Sequence, residues 1–391
     1  MPFRVALDVR RIRDFGIGTY IRNLVRNLSR LDQENHYVLV ATESAGDEFA
    51  GLGANFEVAR FTARRYAPLN RLTFPLFLRQ LGADVFHLPL NAVPFAMPRP
   101  YIVTIHDMSS LFYDSGKSRG RKMARMRRGL SRAERVIAVS SATRRDVEDV
   151  FKIPADRIRV IPNAPDPAFY EPVIPAIACI GPDREIRYPE EMKRILDRYR
   201  IDFPFLLYAG TIRPQKNIPR MVEAFSMVRA ELERHPVYNG LRLIIIGDEI
   251  STSPSVRRAV IQSRVENSVR FLGFVPIDTL RVFYQSASVF VFPSLYEGFG
   301  LPPLEAMACG TPVVCSHFSS LPEVVGDAVV VVNPENVFDI ARGMREALLD
   351  QGLRSQLVQR GLEQSRRFDW QRTAAQVQAT YSDVARGRLR G

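Results

Sequence analysis

The chain has 391 residues, of which 46% are hydrophobic and 25% charged, and its formal net charge is +12 at pH 7. This composition is typical of a globular protein and excludes collagenous or broadly disordered chains. The length predicts two domains, because one core seldom serves more than about 250–300 residues. No apolar run reaches the roughly 18–20 residues of a membrane span, and the charged segment MPFRVALDVRRIRDFG is not typical of a signal peptide.

The positive charge is concentrated in the first half of the chain. Residues 1–180 hold 27 Lys and Arg against 18 Asp and Glu, whereas residues 181–391 hold 27 against 24. This excess favours an anionic partner for the first half, such as a phosphorylated lipid, a bilayer surface or a nucleic acid. The three cysteines, Cys179, Cys309 and Cys315, are odd in number and lack metal-site spacing, which predicts a reduced, cytoplasmic setting.

The first half alternates short apolar runs with a helical pattern. The runs at 4–9, 37–42, 85–89, 101–107 and 135–141 predict strands, and residues 19–31 predict a helix with Ile21, Leu24, Val25 and Leu28 on one face. This alternation predicts a parallel sheet with helices on both of its faces.

A proline-rich segment near residues 162–190 interrupts the alternation and predicts a connector. The alternation then resumes with the apolar runs FPFLLYAGT, LRLIIIGD, VRFLGFV, SVFVFPS, TPVVCS and AVVVV. We expect an α/β protein with two Rossmann-like parallel-sheet domains facing a cleft, where ligands bind at the carboxyl ends of the strands. The predicted boundaries are 1–170 and 204–367 for the domains, 171–203 for the linker, and 368–391 for a final helix that crosses back to the first domain.

The segment YEGFGLPPLEAMACGTPVV, residues 296–314, follows a predicted strand. Pro302 and Pro303 suit the first turn of a helix, which places Glu305 in that turn and Glu297 in the loop before it. The glycines let the backbone approach a ligand, so that amides at the helix start can meet an anion or hydroxyl groups. The alternative for Glu305 is a helix-stabilising carboxylate, worth about 0.3–1 kcal/mol.

Other loops after predicted strands carry candidate groups. Arg213 and Lys216 precede a helix and suit a diphosphate, or are a solvated basic loop. Gly16 and Gly18 permit a phosphate or sugar to approach the backbone, or form an ordinary tight turn, since only two of the three dinucleotide-fingerprint glycines are present. His106 stands beside Asp107 at a strand end, where a histidine is either catalytic or structural.

These motifs together resemble the retaining glycosyltransferase family 4, of GT-B architecture, and the resemblance covers nearly the whole chain. It rests on the glycine loop, the HD pair, AVSSATRRDV, VIPNA, GTIRPQKN, LGFV and above all the E-x7-E span. In particular, the chain is similar to bacterial mannosyltransferases of surface-polysaccharide assembly. The resemblance implies a nucleotide-diphosphate sugar as donor, with GDP-mannose in preference to a UDP-sugar. No DxD-type metal motif occurs in the sequence, so we expect no essential metal, and no other cofactor is expected.

The resemblance also implies a role for each candidate residue. Glu305 holds the ribose, and residues near Phe274 cradle the base. Glu297 and the amides of Phe299, Gly300 and Leu301 hold the donor sugar. Arg213 and Lys216 neutralise the charge of the diphosphate. Gly16 and Gly18 approach the diphosphate, and His106 contacts the sugar. Two departures from the family pattern are Thr211, where many relatives have Arg, and Ala164, where Gly is usual.

Other functions are compatible with the residues themselves. A sugar-nucleotide epimerase or a phosphorylase can use a similar scaffold, although no cofactor-lysine pattern for a phosphorylase is found. The basic charge also fits a non-enzymatic polyanion-binding protein, but no nucleic-acid-binding motif occurs. His106 and Asp107 can equally be drawn as the base of an inverting enzyme.

The acceptor is expected to be a glycan or a lipid-linked hydroxyl. Residues 60–79 and 119–135 mix arginines with apolar side chains, including Arg64, Arg65, Arg127 and Arg128. This mixture suits an anionic membrane surface, and it equally suits a solvated helix face over a buried stripe. The first interpretation predicts a cytoplasmic protein that binds the inner face of the membrane.

Overall fold

The computed structural model describes residues 1–14, 16–42, 48–62, 70–90, 93–94, 96–113, 119–171, 189–247 and 253–389. The chain forms two compact units, Met1–Ala164 with Asp369–Gly391, and Pro165–Phe368. Within the described residues, no helix has the length and apolar character needed to span a membrane.

The first unit contains a parallel sheet of seven strands among its described residues, in the order β3-β2-β1-β4-β5-β6-β7. The strands are β1 (Arg4–Asp8), β2 (His36–Ala41), β3 (Phe56–Arg60), β4 (Val85–Leu88), β5 (Tyr101–Ile105), β6 (Arg135–Ala138) and β7 (Ile158–Val160). Strands β2, β4 and β5 are buried along almost their full length, as expected for a sheet covered on both faces.

The helices of the first unit are α1 (Ile17–Leu31), α2 (Asn70–Gln80), α3 (Ser109–Phe112), α4 (Arg119–Arg132) and α5 (Ser141–Phe151), joined by the C-terminal helix Trp370–Leu389. That last helix packs against α1 and β4. Its apolar positions Ala374, Val377, Tyr381 and Val384, which recur at helical spacing, are all buried.

The second unit contains a six-stranded parallel sheet in its described part, in the order β10-β9-β8-β11-β12-β13. The strands are β8 (Phe205–Gly210), β9 (Arg242–Gly247), β10 (Val269–Gly273), β11 (Val289–Phe292), β12 (Val313–Ser316) and β13 (Val330–Val332). The helices are α6 (Glu190–Arg198), α7 (Ile218–Glu231), α8 (Pro254–Gln262), α9 (Ile277–Ser286), α10 (Leu301–Ala308), α11 (Leu321–Val325), α12 (Val337–Leu349) and α13 (Gln351–Ser365). The C-terminal helix of the first unit is α14.

The strand order of each sheet reverses at one point, between β1 and β4 in the first unit and between β8 and β11 in the second. In open α/β sheets, ligands bind beside the carboxyl ends of the strands at this switch point. The loops after β8 and β11 therefore leave adjacent strands on the same edge of their sheet.

The fold predicted from the sequence is confirmed, because both sheets are parallel and interleaved with helices. The prediction missed β3 and β7, which lie at the edges of the first sheet. Strand β3, for example, has no buried residue, so its sequence lacks the continuous apolar run that marks the inner strands.

Candidate active site

The loop between β11 and α10 is shaped by Gly300. This residue is the N-cap of α10 and has a φ of 111°, a conformation that L side chains rarely adopt. A Cβ at this position would lie 2.7 Å from Cδ2 of Leu321. Both constraints favour glycine and bring the chain close to α11 at the start of the helix.

The amides at this helix start are available to a ligand. Among the described residues, no acceptor is bonded to the backbone N–H groups of Phe299, Gly300 or Leu301. The next two positions are Pro302 and Pro303, which have no N–H group. The Phe299 ring is buried and packs edge to face on Phe368. This contact anchors the loop and does not use its backbone amides.

Glu305 lies in the second turn of α10, and its predicted position in the first turn is wrong. The helix begins at Leu301, before the two prolines, and its first turn holds no acidic residue. Stabilisation of the helix dipole fades within the first turn, so it does not explain this carboxylate. The sequence pattern could not decide this, because prolines are tolerated throughout a first turn.

The environment of Glu305 shifts the pKa of its carboxyl group toward neutral pH. The Tyr284 hydroxyl donates a hydrogen bond to Glu305 Oε2 at 3.0 Å. Burial raises the pKa of Glu305 to about 7, and Asp166 acts in the same direction, while the bond from Tyr284 opposes them. The ionisation of this carboxyl group near pH 7 therefore depends strongly on any ligand that donates hydrogen bonds to it.

Lys216 and Glu297 form a direct ion pair. The Lys216 ammonium donates to Glu297 Oε1 at 2.6 Å and lies 2.8 Å from Oε2. Their side chains are only 15% and 11% exposed, so the pair is well shielded from solvent. Two residues that the sequence assigned to different parts of the ligand are thus brought together at the β8/β11 switch point.

Asn217, which the sequence analysis missed, joins the two loops that carry this pair. It is buried, and its Nδ2 donates to the carbonyl oxygens of Pro293 at 3.1 Å and Pro334 at 2.6 Å. The amide of Leu295 also donates to the carbonyl of Gln215 at 2.7 Å. These bonds fix the loop after β8 against the loop after β11.

Ser319 and Ser320 were also missed, and they orient the backbone of the E-x7-E loop. Ser319 Oγ donates to the Glu297 carbonyl at 2.6 Å. Ser320 Oγ lies 2.8 Å from the carbonyl of Phe299 and 3.0 Å from that of Glu297. By holding the carbonyls, the two serines turn the adjacent amides away from them. A serine pair after a strand was the available signal in the sequence.

Arg213 and Phe274 are more exposed than the residues above. Arg213 is exposed at the start of the short 3-10 helix Pro214–Lys216, whereas Lys216 is half-buried. The Phe274 ring follows β10 and is 56% exposed, unusual for a large apolar side chain. An exposed ring offers a stacking surface at low conformational cost.

In the first unit, Gly16 and Gly18 serve different purposes. A Cβ on Gly18 would lie 2.3 Å from the Ile12 carbonyl oxygen, to which Arg22 also donates. The tight turn therefore accounts for Gly18 by itself. Gly16 has a φ of 75° at the N-cap of α1, and no described atom would crowd a Cβ there, so it leaves space at the carboxyl end of β1.

His106 directly follows β5 and is half-buried. Burial lowers its pKa to about 4, although Asp107 and a hydrogen bond with the Pro89 backbone act in the opposite direction. The imidazole is therefore neutral at pH 7. Asp107 Oδ1 accepts bonds from the amide and the hydroxyl of Ser109, the first residue of the short helix α3.

Two family models match the chain. Residues 194–364 match the glycosyl transferases group 1, and residues 16–169 match glycosyltransferase family 4. Together these two segments include all of the candidate residues described above.

Similar proteins are found by sequence and by structure. The chain is 34% identical over 309 residues to the O-antigen chain mannosyltransferase B of Escherichia coli, which covers 78% of this chain and 75% of that protein. It is 36% identical over 246 residues to the serotype-specific mannosyltransferase WbdA of Escherichia coli, covering 62% of this chain and 28% of WbdA. The fold matches Anabaena Alr3699/HepE, solved with UDP and glucose, with a TM-score of 0.75, 16% identity and coverage of 97% and 100%.

Proposed function

The chain belongs to glycosyltransferase family 4, and we propose that it transfers mannose from GDP-mannose to a hydroxyl of a glycan or lipid-linked acceptor. The family consists of retaining hexosyltransferases that use nucleotide sugars. The observation that carries the proposal is the shielded Lys216–Glu297 pair beside the available amides of residues 299–301.

Glu305 and Phe274 recognise the nucleoside in this proposal. A carboxylate accepts hydrogen bonds from both hydroxyls of a ribose diol, and Glu305 keeps one oxygen outside its bond to Tyr284. The exposed ring of Phe274 provides a surface for the base. The pKa of about 7 means that the donor selects the ionised form of Glu305 when it binds.

Glu297 and the amides of Phe299, Gly300 and Leu301 hold the donor sugar, and Lys216 holds the diphosphate. Negative charge builds on the leaving diphosphate as the glycosidic bond opens. Lys216, the exposed Arg213 and the N-terminus of α10 oppose that charge as preorganised electrostatic groups.

The Lys216–Glu297 pair links recognition of the sugar to recognition of the phosphate. Sugar hydroxyls that donate to Glu297 compete with the ammonium for its oxygens. When the Glu297 carboxylate also accepts bonds from the sugar, it neutralises less of the Lys216 charge, and more of that charge acts on the diphosphate. The pair therefore favours the complete nucleotide sugar over its fragments.

The proposal also gives roles to His106, Gly16 and Gly18 of the first unit. The neutral His106 forms one hydrogen bond with the sugar near the reacting carbon, either as donor or as acceptor. Gly16 lets the diphosphate approach the backbone at the start of α1, and Gly18 permits the turn that presents it. The acceptor hydroxyl gives its proton to the leaving phosphate oxygen, its oxygen bonds to the anomeric carbon, and a nucleoside diphosphate departs.

The donor preference rests on the mannosyltransferases found among the relatives, and a binding screen tests it. GDP-mannose should raise the melting temperature more than GDP-glucose, UDP-glucose or UDP-galactose, because at equal concentration the ligand that binds more tightly stabilises the folded state more. Release of GDP should then require an acceptor. Equal stabilisation by all four donors would contradict the preference, and conversion of the donor into a different nucleotide sugar without an acceptor would favour the epimerase.

The acceptor side of the proposal rests on helix α4. This helix has no acidic residue, and Arg121, Arg125, Arg128 and Arg132 are exposed at a spacing that places them on one face. Such a face attracts an anionic bilayer by roughly 1 kcal/mol per cation. We therefore place the protein at the cytoplasmic membrane surface. Arg64 and Arg65, expected to extend this surface, lie outside the described residues.

Sedimentation with liposomes tests this placement. The wild type should sediment with anionic vesicles at low salt and remain in solution with neutral ones. The double reversal Arg121→Glu/Arg125→Glu should abolish sedimentation. The matched control Arg257→Glu/Arg258→Glu makes the same charge change on exposed positions of α8, in the second unit, and should preserve it. Equal losses in both variants would indicate only a general effect of net charge.

A further inference from the structure

A chain of polar side chains is buried beneath His106. The Tyr381 hydroxyl lies 2.6 Å from His87 Nδ1, and Thr104 Oγ1 lies 2.7 Å from His87 Nε2. The Tyr20 hydroxyl follows at 3.3 Å from Thr104 Oγ1. The Tyr20 ring then meets the His106 ring edge to face, with centroids 4.8 Å apart.

Four separate elements build this chain within the first unit. His87 lies on β4 and Thr104 on the neighbouring strand β5. Thr104 and His106 are two residues apart, so they leave β5 toward the same side of the sheet. Tyr20 comes from α1 and Tyr381 from α14, two helices that pack against each other.

The four side chains are 0–1% exposed. Each hydrogen bond between them only replaces bonds that the same groups make with water in the unfolded chain. Apolar side chains of similar size would fill this space without polar groups to satisfy. The arrangement thus contributes geometry more than stability, because each bond restricts the orientation of the next ring or hydroxyl.

We infer that Tyr20, Thr104 and His87 are positioning residues that fix the orientation of the His106 ring for the donor sugar. The imidazole of His87 holds the Thr104 hydroxyl, which holds the hydroxyl of Tyr20. Because Thr104 fixes the Tyr20 hydroxyl, the Tyr20 ring keeps one orientation in its edge-to-face contact with the His106 ring. Tyr381 anchors the far end of the chain in α14. This inference rests on the proposed function, in which His106 contacts the sugar.

The protonation states agree with this geometry. Burial lowers the pKa of His87 to about 3, and the neighbouring His106 acts in the same direction. Both imidazoles are therefore neutral at pH 7, and each nitrogen of His87 serves as either a donor or an acceptor. Among the described residues, the titratable groups beside His106 are His87 from β4, Tyr20 from α1 and Asp107, the next residue in the chain.

The test compares Thr104→Val and Tyr20→Phe with a matched control. Thr104→Val keeps the shape of the side chain and removes the hydroxyl that links His87 to Tyr20. Tyr20→Phe removes the other partner of the same bond and keeps the ring that contacts His106. The control Tyr101→Phe removes another buried tyrosine hydroxyl of the same unit, bonded to the Gly129 carbonyl. Tyr101 and Thr104 are three residues apart on β5 and face opposite sides of the sheet.

The measurement is made first on the protein without donor or acceptor. The chain has five histidines, so the ring nitrogen signals of His106 can be assigned in NMR spectra from the His106→Gln variant. Because both variants break the bond between Thr104 and Tyr20, we expect Thr104→Val and Tyr20→Phe each to shift these signals. Tyr101→Phe should leave them unchanged.

Kinetics provides the second measurement. In Thr104→Val, kcat should fall about tenfold while the donor KM changes less than about threefold, because misplacement of a reacting group affects turnover more than binding. Unshifted His106 signals in both variants, or equal shifts in Tyr101→Phe, would overturn the inference. Absence of sugar transfer by the wild type would instead contradict the proposed function, and the ring signals would still decide the positioning.

Discussion

Replacement of Glu305 by glutamine should separate donor binding from folding, because the two effects have opposite signs. The folded protein raises the pKa of this carboxyl from 4.5 to about 7. The stabilising contribution of the protonated acid is complete below pH 4.5 and is lost as the pH rises through about 7. Glutamine does not titrate, so the variant avoids this loss.

The magnitude follows from the displacement of the pKa. At about 1.4 kcal/mol per pH unit, a change from 4.5 to about 7 corresponds to at most roughly 3 kcal/mol. The free energy of unfolding of Glu305→Gln should therefore rise relative to wild type between pH 5 and pH 8.5. Most of that rise should occur between pH 5 and pH 7, where the unfolded carboxyl is ionised and the folded one still holds its proton, and the difference should level off above about pH 7.

Donor affinity should respond in the other direction. The glutamine side chain offers one acceptor oxygen where the carboxylate offers two, so Glu305→Gln should bind the nucleotide sugar more weakly at pH 8. The wild type should lose affinity as the pH falls through about 7, since protonation removes an acceptor, whereas the variant should show no such step.

Urea unfolding and calorimetric titration with donor, each at pH 5.5, 7 and 8.5, measure both effects. The control is Glu266→Gln, which changes an exposed glutamate of the same unit and should follow the wild type. A variant that binds donor normally but unfolds more easily at every pH would refute the reasoning and assign Glu305 a structural role.

Other perturbations follow from the same site. Lys216→Ala should reduce kcat by about a hundredfold or more, and it leaves the shielded Glu297 carboxylate without its cation. Arg213→Ala, which changes an exposed residue, should reduce kcat less. Equal kcat values for the two variants in steady-state assays would contradict the shielded-pair assignment. Ser320→Ala should raise the donor KM and lower the free energy of unfolding by about 1–3 kcal/mol, and an unchanged KM would separate this serine from the site. A chain ending at Phe368 lacks α14 and should fold poorly or lose activity, as circular dichroism and transfer assays would report; full activity would show that α14 is dispensable.

Local sequence patterns were sufficient to predict the fold class, and they indicated the loops of the candidate site. Continuous apolar runs identified the inner strands because parallel strands are buried on both faces. The glycines and prolines of residues 296–314 identified the loop and helix that follow β11. These features depend on neighbouring residues, so a single sequence contains them.

The contacts that give the site its chemistry depended on the tertiary structure. Lys216 and Glu297 are 81 residues apart and His87 and Tyr381 are 294 apart. Such pairs meet only because the order of strands in the sheet brings their loops or helices together, and no periodicity in the sequence encodes that order. The pKa of Glu305 is likewise a property of its burial and of Tyr284, since the cost of an unsolvated charge is set by the folded environment.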